Sequence, residues 1–346
     1  MKTLGVDLRI LPTDGSLGAG VAHAARELTE VLFLRAGTFD IRLYAFIPKG
    51  ARISFAKEYC IELKDASGKS LRSALKKHSF DELFVPGGSI APFLSIPAIP
   101  WVHDLAIFTH PECFPQSTIK RFLTTWAFMQ GLRNAPRIFA VSEDTKRSIV
   151  NQIGIPEEKI IVTYEGVSVP QNIHALPRVL GLGQRFFLSL GTLEPIKNIS
   201  FCAKAFLETG IAVKYIVAGK TGWGNVTLPN DPRIIRMEEI NETEKWALLR
   251  DADALLLSSL HEGFGRTALE AMAVGTPVIA SRVGAIPEVI GEQGILLAPS
   301  DSVAWKEAIE VVYGRKDHLA SERAQAKIRA ASFNWERVAD TILASI

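Results

Sequence analysis

Short apolar runs alternate with amphipathic helical stretches along the whole chain, and this alternation limits the possible folds more than any other feature. The first series has strands near 3–8, 40–47, 83–86, 98–103, 137–142 and 159–164, with helices near 18–36, 70–78, 117–134 and 143–153. The second series has strands near 186–190, 213–218, 233–237, 253–258, 277–281 and 294–298, with helices near 198–209, 242–250, 265–274, 302–313 and 317–331. Such alternation is typical of parallel sheets covered by helices. We therefore predict an α/β protein with two doubly wound parallel sheets.

The length of the chain supports a division into two domains. A single core stops growing near about 250–300 residues, and this chain has 346. Residues 169–184 hold two prolines and two glycines without clear periodicity, which indicates a linker. We predict an N-terminal domain at 1–174, a C-terminal domain at 175–331 and a closing segment at 332–346.

Composition and charge exclude several classes of protein. Lys and Arg number 39 and Asp and Glu 37, so no broad cationic field for nucleic acid is expected. The cysteines Cys60, Cys113 and Cys202 are far apart in the sequence, so neither a disulfide framework nor a zinc site is expected. Asp7 and Arg9 interrupt what would be the apolar part of a signal peptide. We therefore expect a cytoplasmic protein.

A basic cluster surrounds the short helix near 70–78. It consists of Lys64, Lys69, Arg72, Lys76, Lys77 and His78. The cluster is either a solvated helix face or a contact for an anionic lipid or an anionic acceptor. On the second interpretation, the protein contacts the inner membrane face peripherally through Lys69, Arg72, Lys76 and Lys77.

The segment Glu-Gly-Phe-Gly-Arg-Thr-Ala-Leu-Glu at 262–270 follows the apolar run at 254–257. It places a strand end, a glycine-bearing turn and a helix start in succession, and helix starts at this edge of an α/β sheet bind anions. The predicted phosphate-binding turn comprises Gly263, Phe264, Gly265 and Arg266.

The two carboxylates at the ends of this segment suggest an elongated ligand. Eight residues of helix would separate the backbones of Glu262 and Glu270 by ~12 Å and keep both on one side. Glycosidase carboxylates flank one bond at ~5–9.5 Å, so this pair does not indicate a hydrolase. In the alternative interpretation, Glu270 lies on a helix surface and Glu262 interacts with the helix dipole.

The segment resembles the E-x7-E motif of retaining glycosyltransferases of the GT-B fold, known as group 1 or family 4. Further segments that resemble the same family lie at 189–198, 216–219, 277–281 and 287–289. The resemblance implies two Rossmann-like domains facing across a cleft, with the helix at 332–346 crossing back to the first domain. It also implies that Glu262 contacts the donor sugar and that Glu270 contacts the nucleotide ribose.

The same resemblance assigns Lys197 to the leaving diphosphate, a role that suits a point charge. The sequence departs from the family here, because Ile196 stands where an arginine is frequent. Arg266 stands where a leucine is common, and it either supplies the second charge or faces water. Thr192 and Thr267 are further expected donor contacts.

In the N-terminal half, Gly18 and Gly20 resemble the family's first-strand glycine loop, which approaches the donor diphosphate. A tight turn before an ordinary helix is the alternative. His103 and Asp104 end an apolar strand and resemble the His-Asp-Leu beside the family's acceptor site. The resemblance implies that His103 binds the transferred sugar or the leaving phosphate, and Asp104 the acceptor.

Together these features predict a retaining transfer of a sugar, with mannose among the family's sugars, from a nucleotide-diphosphate sugar to a hydroxyl acceptor. The expected acceptor is a glycan or lipid-linked intermediate in polysaccharide or lipopolysaccharide assembly. No metal or other cofactor is expected, because Lys197 and a helix end can offset the diphosphate charge. A nucleotide-sugar epimerase of the same fold and a catalytically idle scaffold subunit are the alternatives.

Overall fold

The computed structural model of the chain describes residues 1–14, 20–55, 57–173, 185–315 and 320–346. They form two compact units, and neither is continuous in sequence. The first unit comprises Met1–Leu105, Gln116–Ser168 and Phe333–Ile346. The second comprises Ala106–Pro115 and Val169–Ser332.

The first unit is built on a seven-stranded parallel sheet. Its strands are β1 (Lys2–Asp7), β2 (Ile41–Pro48), β3 (Cys60–Leu63), β4 (Glu82–Val85), β5 (Ala98–Val102), β6 (Ile138–Ala140) and β7 (Ile160–Val162). Its helices are α1 (Val21–Arg35), α2 (Gly68–Leu75), α4 (Thr118–Asn134), α5 (Glu143–Ile153) and α12 (Trp335–Ser345), with α3 (Ala106–Thr109) in the second unit. The strand order is β3-β2-β1-β4-β5-β6-β7. Strands β4 and β5 are buried at every position, as in sheets covered on both faces.

The last helix, α12, packs on α1 although the whole second unit precedes it in sequence. Arg35 of α1 forms a bidentate ion pair with Asp340, with N···O distances of 2.7 and 2.6 Å. Trp335 is buried, and its ring meets that of Trp101 edge-on at 6.2 Å. Residues 333–346 therefore complete the core of the first unit.

The second unit is built on a six-stranded parallel sheet with the order β10-β9-β8-β11-β12-β13. Its strands are β8 (Phe186–Leu190), β9 (Lys214–Ala218), β10 (Ile234–Met237), β11 (Ala254–Leu257), β12 (Val278–Ser281) and β13 (Ile295–Leu297). Its further helices are α6 (Ile199–Glu208), α7 (Glu242–Asp251), α8 (Arg266–Val274), α9 (Ile286–Ile290), α10 (Ser302–Gly314) and α11 (Ala320–Ala331). One face of the sheet packs on α6 and α10 through a cluster that includes Phe206, Tyr215 and Trp305.

In both sheets the strand order reverses beside the first strand of the unit. The reversal falls between β1 and β4 in the first unit and between β8 and β11 in the second. Open α/β sheets bind ligands outside the carboxyl ends of the strands at this switch point. The loops that follow β8 and β11 hold Lys197 and Glu262, and the segment that follows β1 holds Arg9.

Every strand and helix predicted from the sequence is present within a few residues of its expected bounds, and three short elements were not predicted. These are β3, α3 and α9, of four, four and five residues. Elements this short offer no periodicity to recognise. The chain leaves the first unit after Ser168, while most of the expected linker, at 174–184, lies outside the described residues. In the described parts of the chain, no helix is both long enough and apolar enough to cross a membrane.

Candidate active site

Lys197 and Glu262 form an ion pair at the switch point of the second sheet. Lys197 Nζ lies 2.8 Å from Glu262 Oε1, and the Ser259 hydroxyl donates to the same oxygen at 2.6 Å. Lys197 is 29% exposed and Glu262 14%, so both charged groups can still reach a ligand. The sequence motif therefore corresponds to a contact between two loops that are 65 residues apart.

The backbone around this ion pair is held from both sides. The amide of Leu260 donates to the carbonyl of Ile196 at 2.8 Å, and the Ser258 hydroxyl donates to the carbonyl of Lys197 at 2.9 Å. The amide of Ala285 donates to the carbonyl of Glu262 at 2.9 Å. Gly284, with a φ of 50°, allows this approach, because a Cβ there would collide with the Glu262 carbonyl. The site is thus preorganised by backbone contacts.

Helix α8 begins at Arg266, four residues after Glu262. The expectation that Glu262 and Glu270 lie two turns apart on one helix is therefore wrong, because Glu262 belongs to the preceding loop. Gly265 is the N-cap with a φ of 94°, and it has no side chain to cap the first turn. The turn that contains Gly263, Phe264 and Gly265 is buried, and Thr267 in the first turn of α8 is half-buried. The amides of this first turn can bind an anion.

Glu270 is 4% exposed, and two cations contact one of its oxygens. Oε1 lies 3.2 Å from Lys245 Nζ and 3.3 Å from Arg266 Nε. Lys245, on α7, also lies 2.9 Å from Glu242. Burial lowers the pKa of Lys245, but the charges and hydrogen bonds of Glu270 and Glu242 outweigh it and raise the pKa above its ordinary value. Lys245 therefore stays charged beside Glu270.

Ile196, directly before Lys197, stands where the family frequently has an arginine. An arginine at this position would have no polar surroundings. Ile196 is 6% exposed and packs with Ala106, Cys113, Phe114 and Leu260. Three of these residues, Ala106, Cys113 and Phe114, lie in the segment Ala106–Pro115, which belongs to the second unit. Arg266 bonds Glu270, and whether it also replaces the missing arginine at a diphosphate stays a prediction.

A third carboxylate, Glu194, lies beside Lys197 and Glu262. Partial burial raises its pKa, Lys197 acts in the opposite direction, and Glu262 raises it further. Its side chain and that of Thr192 pack over Gly222, where a Cβ would lie 2.5 Å from Glu194 Cγ and 2.7 Å from Thr192 Cγ2. The ion pair is therefore part of a group of two carboxylates and one ammonium.

In the first unit, His103 follows β5 and is 10% exposed. Its Nε2 donates to the carbonyl of Pro86 at 2.8 Å, and Nδ1 lies 3.2 Å from Glu165 Oε1. A carbonyl only accepts, so Nε2 carries a proton, and Nδ1 faces the carboxyl group of Glu165. The predicted role of His103 toward a sugar or a phosphate requires the ring to exchange one of these partners. The neighbouring Asp104 is exposed.

The expected glycine loop of the first unit is described only in part. Gly20 is the N-cap of α1, whereas Gly18 lies outside the described residues. Before the loop, Arg9 forms a bidentate ion pair with the buried Asp7.

Two residues that contact predicted residues, one in each unit, carried no signal in the sequence. Lys245 lies on a helix without any motif, and Glu165 follows β7 in a loop. Each could have been found only from the contact it makes, with Glu270 and His103 respectively. Among the described residues, no three or more His, Cys, Asp and Glu side chains are grouped so that they could hold a metal ion.

Two family models match successive parts of the chain. The one described as Glycosyltransferase Family 4 matches residues 25–170, and the one described as Glycosyl transferases group 1 matches residues 184–315. Both describe enzymes that transfer sugars, so the two matches together with the fold define a glycosyltransferase. The chain belongs to the family 4, or group 1, glycosyltransferases, as its E-x7-E motif predicted.

Two of the curated relatives are O-antigen chain mannosyltransferases. The chain is 28% identical to O-antigen chain mannosyltransferase B of Escherichia coli over 69% of this chain and 67% of the relative. It is 30% identical to O-antigen chain mannosyltransferase RfbU of Salmonella typhimurium over 63% of this chain and 62% of that protein. The matches thus span between three-fifths and two-thirds of these relatives.

Solved structures match nearly the whole chain. Sucrose-phosphate synthase of Thermosynechococcus elongatus has a TM-score of 0.75 at 17% identity, covering 99% of this chain and 97% of that one. HepE of Anabaena, in complex with UDP-glucose, has a TM-score of 0.74 at 19% identity, covering 100% of both chains. At these identities the likeness concerns the fold, and it confirms the predicted GT-B class.

Proposed function

We propose that this glycosyltransferase moves a hexosyl unit from a nucleotide-diphosphate sugar to a hydroxyl acceptor, with retention of anomeric configuration. The observation that carries the proposal is the Lys197–Glu262 ion pair of 2.8 Å at the switch point of the second sheet. A cation beside a carboxylate at such a crevice suits a ligand that is anionic at one end and rich in hydroxyls at the other.

Lys197 and the first turn of α8 take the diphosphate in this proposal. The bond between the anomeric carbon and a diphosphate oxygen breaks, and the negative charge on the diphosphate grows, so a nearby ammonium stabilises the transition state. Glu262 accepts hydrogen bonds from the hydroxyls of the sugar. The acceptor oxygen bonds the anomeric carbon on the same face, and its proton passes to the leaving diphosphate.

Glu270 takes the ribose hydroxyls of the nucleotide. Because Lys245 and Arg266 both contact Oε1, the carboxylate is held in one orientation before the ligand binds. Hydrogen bonds from hydroxyl groups are stronger to a carboxylate than to a neutral acceptor. The raised pKa of Lys245 keeps the supporting cation charged.

The activities of two relatives and the ligand of one solved structure support this substrate class. The two O-antigen enzymes are mannosyltransferases, and HepE is described with UDP-glucose bound. We propose, from these relatives, a role in the assembly of a surface polysaccharide or a lipid-linked glycan. His103 and Asp104 retain their predicted roles at the transferred sugar and the acceptor.

We propose further that transfer needs no metal or other cofactor. Lys197, with a side chain 29% exposed, and the first-turn amides of α8 offer positive charge and hydrogen-bond donors to a diphosphate. Adding Mg²⁺ or a chelator to the transfer assay tests this point, and we expect the rate to be the same in both.

A cytoplasmic location with peripheral membrane contact is also a proposal. Lys69, Lys76 and Lys77 of the basic cluster are exposed. Helix α4 supports such contact, because Ile119, Phe122, Leu123 and Trp126 recur at helical spacing and are 51–75% exposed. Sedimentation with anionic vesicles tests it.

Thermal unfolding in the presence of UDP, GDP, ADP and dTDP tests the proposed donor class. A ligand that binds only the folded protein raises the midpoint temperature. We expect one of these nucleotides to stabilise the wild type and to lose most of this effect in Lys197→Ala. If none of the four stabilises the wild type, the proposal is wrong. The anomeric configuration of the product, determined by NMR, tests retention.

A further inference from the structure

A second group of cations lies in the first unit, beside the segments that follow β1 and β4. Arg9 binds Asp7 through Nε at 2.9 Å and Nη2 at 2.7 Å, and Asp7 is only 3% exposed. This pairing fixes the guanidinium plane. It directs the remaining nitrogen, Nη1, toward the carbonyl of Ala66 at 3.5 Å, a distance at the limit of a hydrogen bond.

Arg72, on α2, points to the same place from the other side. Its Nη1 donates to the carbonyl of Pro92 at 2.9 Å, in the segment between β4 and β5. A Cβ placed on Gly68 would lie 3.4 Å from Arg72 Nη1 and 3.8 Å from Arg9 Nη1. The side chain of Ala91 also faces this position, with its Cβ 3.2 Å from the placed atom. Two guanidinium groups on different elements therefore converge on one backbone position, beside a small apolar side chain.

Two acidic residues lie nearby, and each has partners of its own. Asp7 is bound to Arg9, and Asp65 accepts from the Ser67 amide at 2.9 Å and the Ser70 hydroxyl at 2.6 Å. Within the described parts of the chain, Arg72 and the exposed Lys69 are paired with no carboxylate. Asp7 offsets the charge of Arg9, so Arg72 is the arginine of this pair whose charge is left for an anion.

The position of the group in the fold points in the same direction. Strands β1 and β4 are neighbours at the switch point of the first sheet. Arg9 follows the carboxyl end of β1, and Pro92 follows that of β4. This is the edge at which an open α/β sheet binds its ligand.

We propose that Arg9 and Arg72 form a phosphate site of the first unit and that the acceptor carries a phosphate or diphosphate group there. The inference rests on the proposed function and names the chemistry of its acceptor. Guanidinium groups bind phosphate oxygens through paired hydrogen bonds, and Arg72 has further N–H groups besides the one that Pro92 accepts. The phosphate belongs to a soluble sugar phosphate or to a polyprenyl phosphate, and binding distinguishes the two sources.

The test compares Arg72→Met with Arg42→Met, which removes an exposed arginine of β2 in the same unit. Arg9 is left unchanged, because its loss would leave Asp7 buried without a partner. The probes are glucose 6-phosphate, with glucose as its neutral counterpart, and phosphatidylcholine vesicles with or without polyprenyl phosphate. Dissociation constants are measured by calorimetry and by sedimentation.

We expect the wild type to prefer a phosphate-bearing probe to its neutral counterpart. Loss of charge-assisted hydrogen bonds in Arg72→Met should weaken that binding about tenfold or more, and Arg42→Met should match the wild type. Preference for glucose 6-phosphate identifies a soluble acceptor, and preference for polyprenyl phosphate a lipid-linked one. Equal binding of the phosphate probes by the two variants would overturn the proposal. It would also be overturned if Arg72→Met lost as much binding to vesicles whose only anionic lipid is phosphatidylglycerol as to vesicles with polyprenyl phosphate.

The nucleotide screen separates this inference from the proposed function. Nucleotide stabilisation depends on Lys197 in the second unit, and we expect Arg72→Met to retain it. If the nucleotide shift persists while no phosphate probe binds, only the acceptor site is wrong. If no nucleotide binds, the proposed function itself fails.

Discussion

The two units differ in how their predicted polar residues find partners. In the second unit, Lys197 bonds Glu262 and Arg266 bonds Glu270, so residues of the recognised motifs bond one another. In the first unit, His103 bonds Glu165 and the carbonyl of Pro86, neither of which belongs to a recognised motif. Where both partners of a contact belong to recognised motifs, the sequence alone indicates the site. Where one partner belongs to no motif, the contact can be identified only from the structure.

The largest expected effect concerns the ion pair of the second unit. Lys197→Met should lower kcat/KM for transfer about a hundred- to a thousandfold, because a positioned cation no longer stabilises the leaving diphosphate. Lys204→Met, which removes an exposed lysine of α6, is the matched control and should keep the wild-type rate. Steady-state kinetics with the identified donor measure both. Similar rates in the two variants would contradict the proposed role of Lys197 in transfer.

The second prediction concerns Ile196, which stands where the family frequently has an arginine. Ile196→Arg restores the family's frequent arginine, but it places a charge among Ala106, Cys113 and Leu260. We expect the free energy of unfolding to fall by about 2 kcal/mol or more. Urea denaturation measures the change, and Ile196→Leu should lose under about 1.5 kcal/mol. A stable Ile196→Arg with increased activity would show that the cluster tolerates the arginine.

The contact of His103 tests whether the first unit depends on its scattered partners. Glu165→Gln keeps the size of the side chain but removes the charge beside Nδ1, so the imidazole loses its orienting carboxylate. We expect kcat to fall about tenfold, with nucleotide binding unchanged. Glu158→Gln, at an exposed position in the same unit, is the control. Equal kcat values for both variants would leave Glu165 without a role in transfer.

Lys245 tests whether the second unit also depends on a residue outside its motifs. Lys245→Met leaves Glu270 with Arg266 as its remaining cation, so the carboxylate is held less firmly. We expect the nucleotide to bind about three- to tenfold more weakly, as measured by calorimetry. Unchanged affinity, matching that of Lys204→Met, would limit the donor site to the motif residues.

The smallest expected effect is a pH dependence at Glu194. Its pKa is raised in the folded protein, chiefly by burial, so the folded state binds this proton more tightly than the unfolded state. Its contribution to stability therefore declines as the pH rises through the range just above the ordinary value of 4.5. Glu194→Gln should remove that decline, so its stability relative to the wild type should increase with pH there. If the difference in stability between the wild type and Glu194→Gln is the same at each pH, Glu194 is not desolvated. Denaturant unfolding at a series of pH values measures this difference.

Much of the fold could be predicted because the strands of both sheets are short apolar runs that alternate with amphipathic helices. The strand order, however, depends on which strands pair, and no local pattern encodes that. The segment Ala106–Pro115 illustrates the limit, since it lies within the first series in sequence yet packs on Ile196 and Leu260 of the second unit. For the site, Lys197, Glu262 and Glu270 carried recognisable neighbours, whereas Glu165 and Lys245 required the tertiary contacts. The false expectation of a two-turn helix arose from applying helical spacing to a segment with a loop in its first half.

The return of α12 to the first unit has a consequence for biosynthesis. Domains generally fold as they leave the ribosome, in order from the amino end. Here Trp335 and the Arg35–Asp340 ion pair are supplied only after the whole second unit has been translated. The first unit must therefore wait with an uncovered apolar surface on α1 while the second unit is made, and during that interval it is the part of the nascent chain most in need of a chaperone.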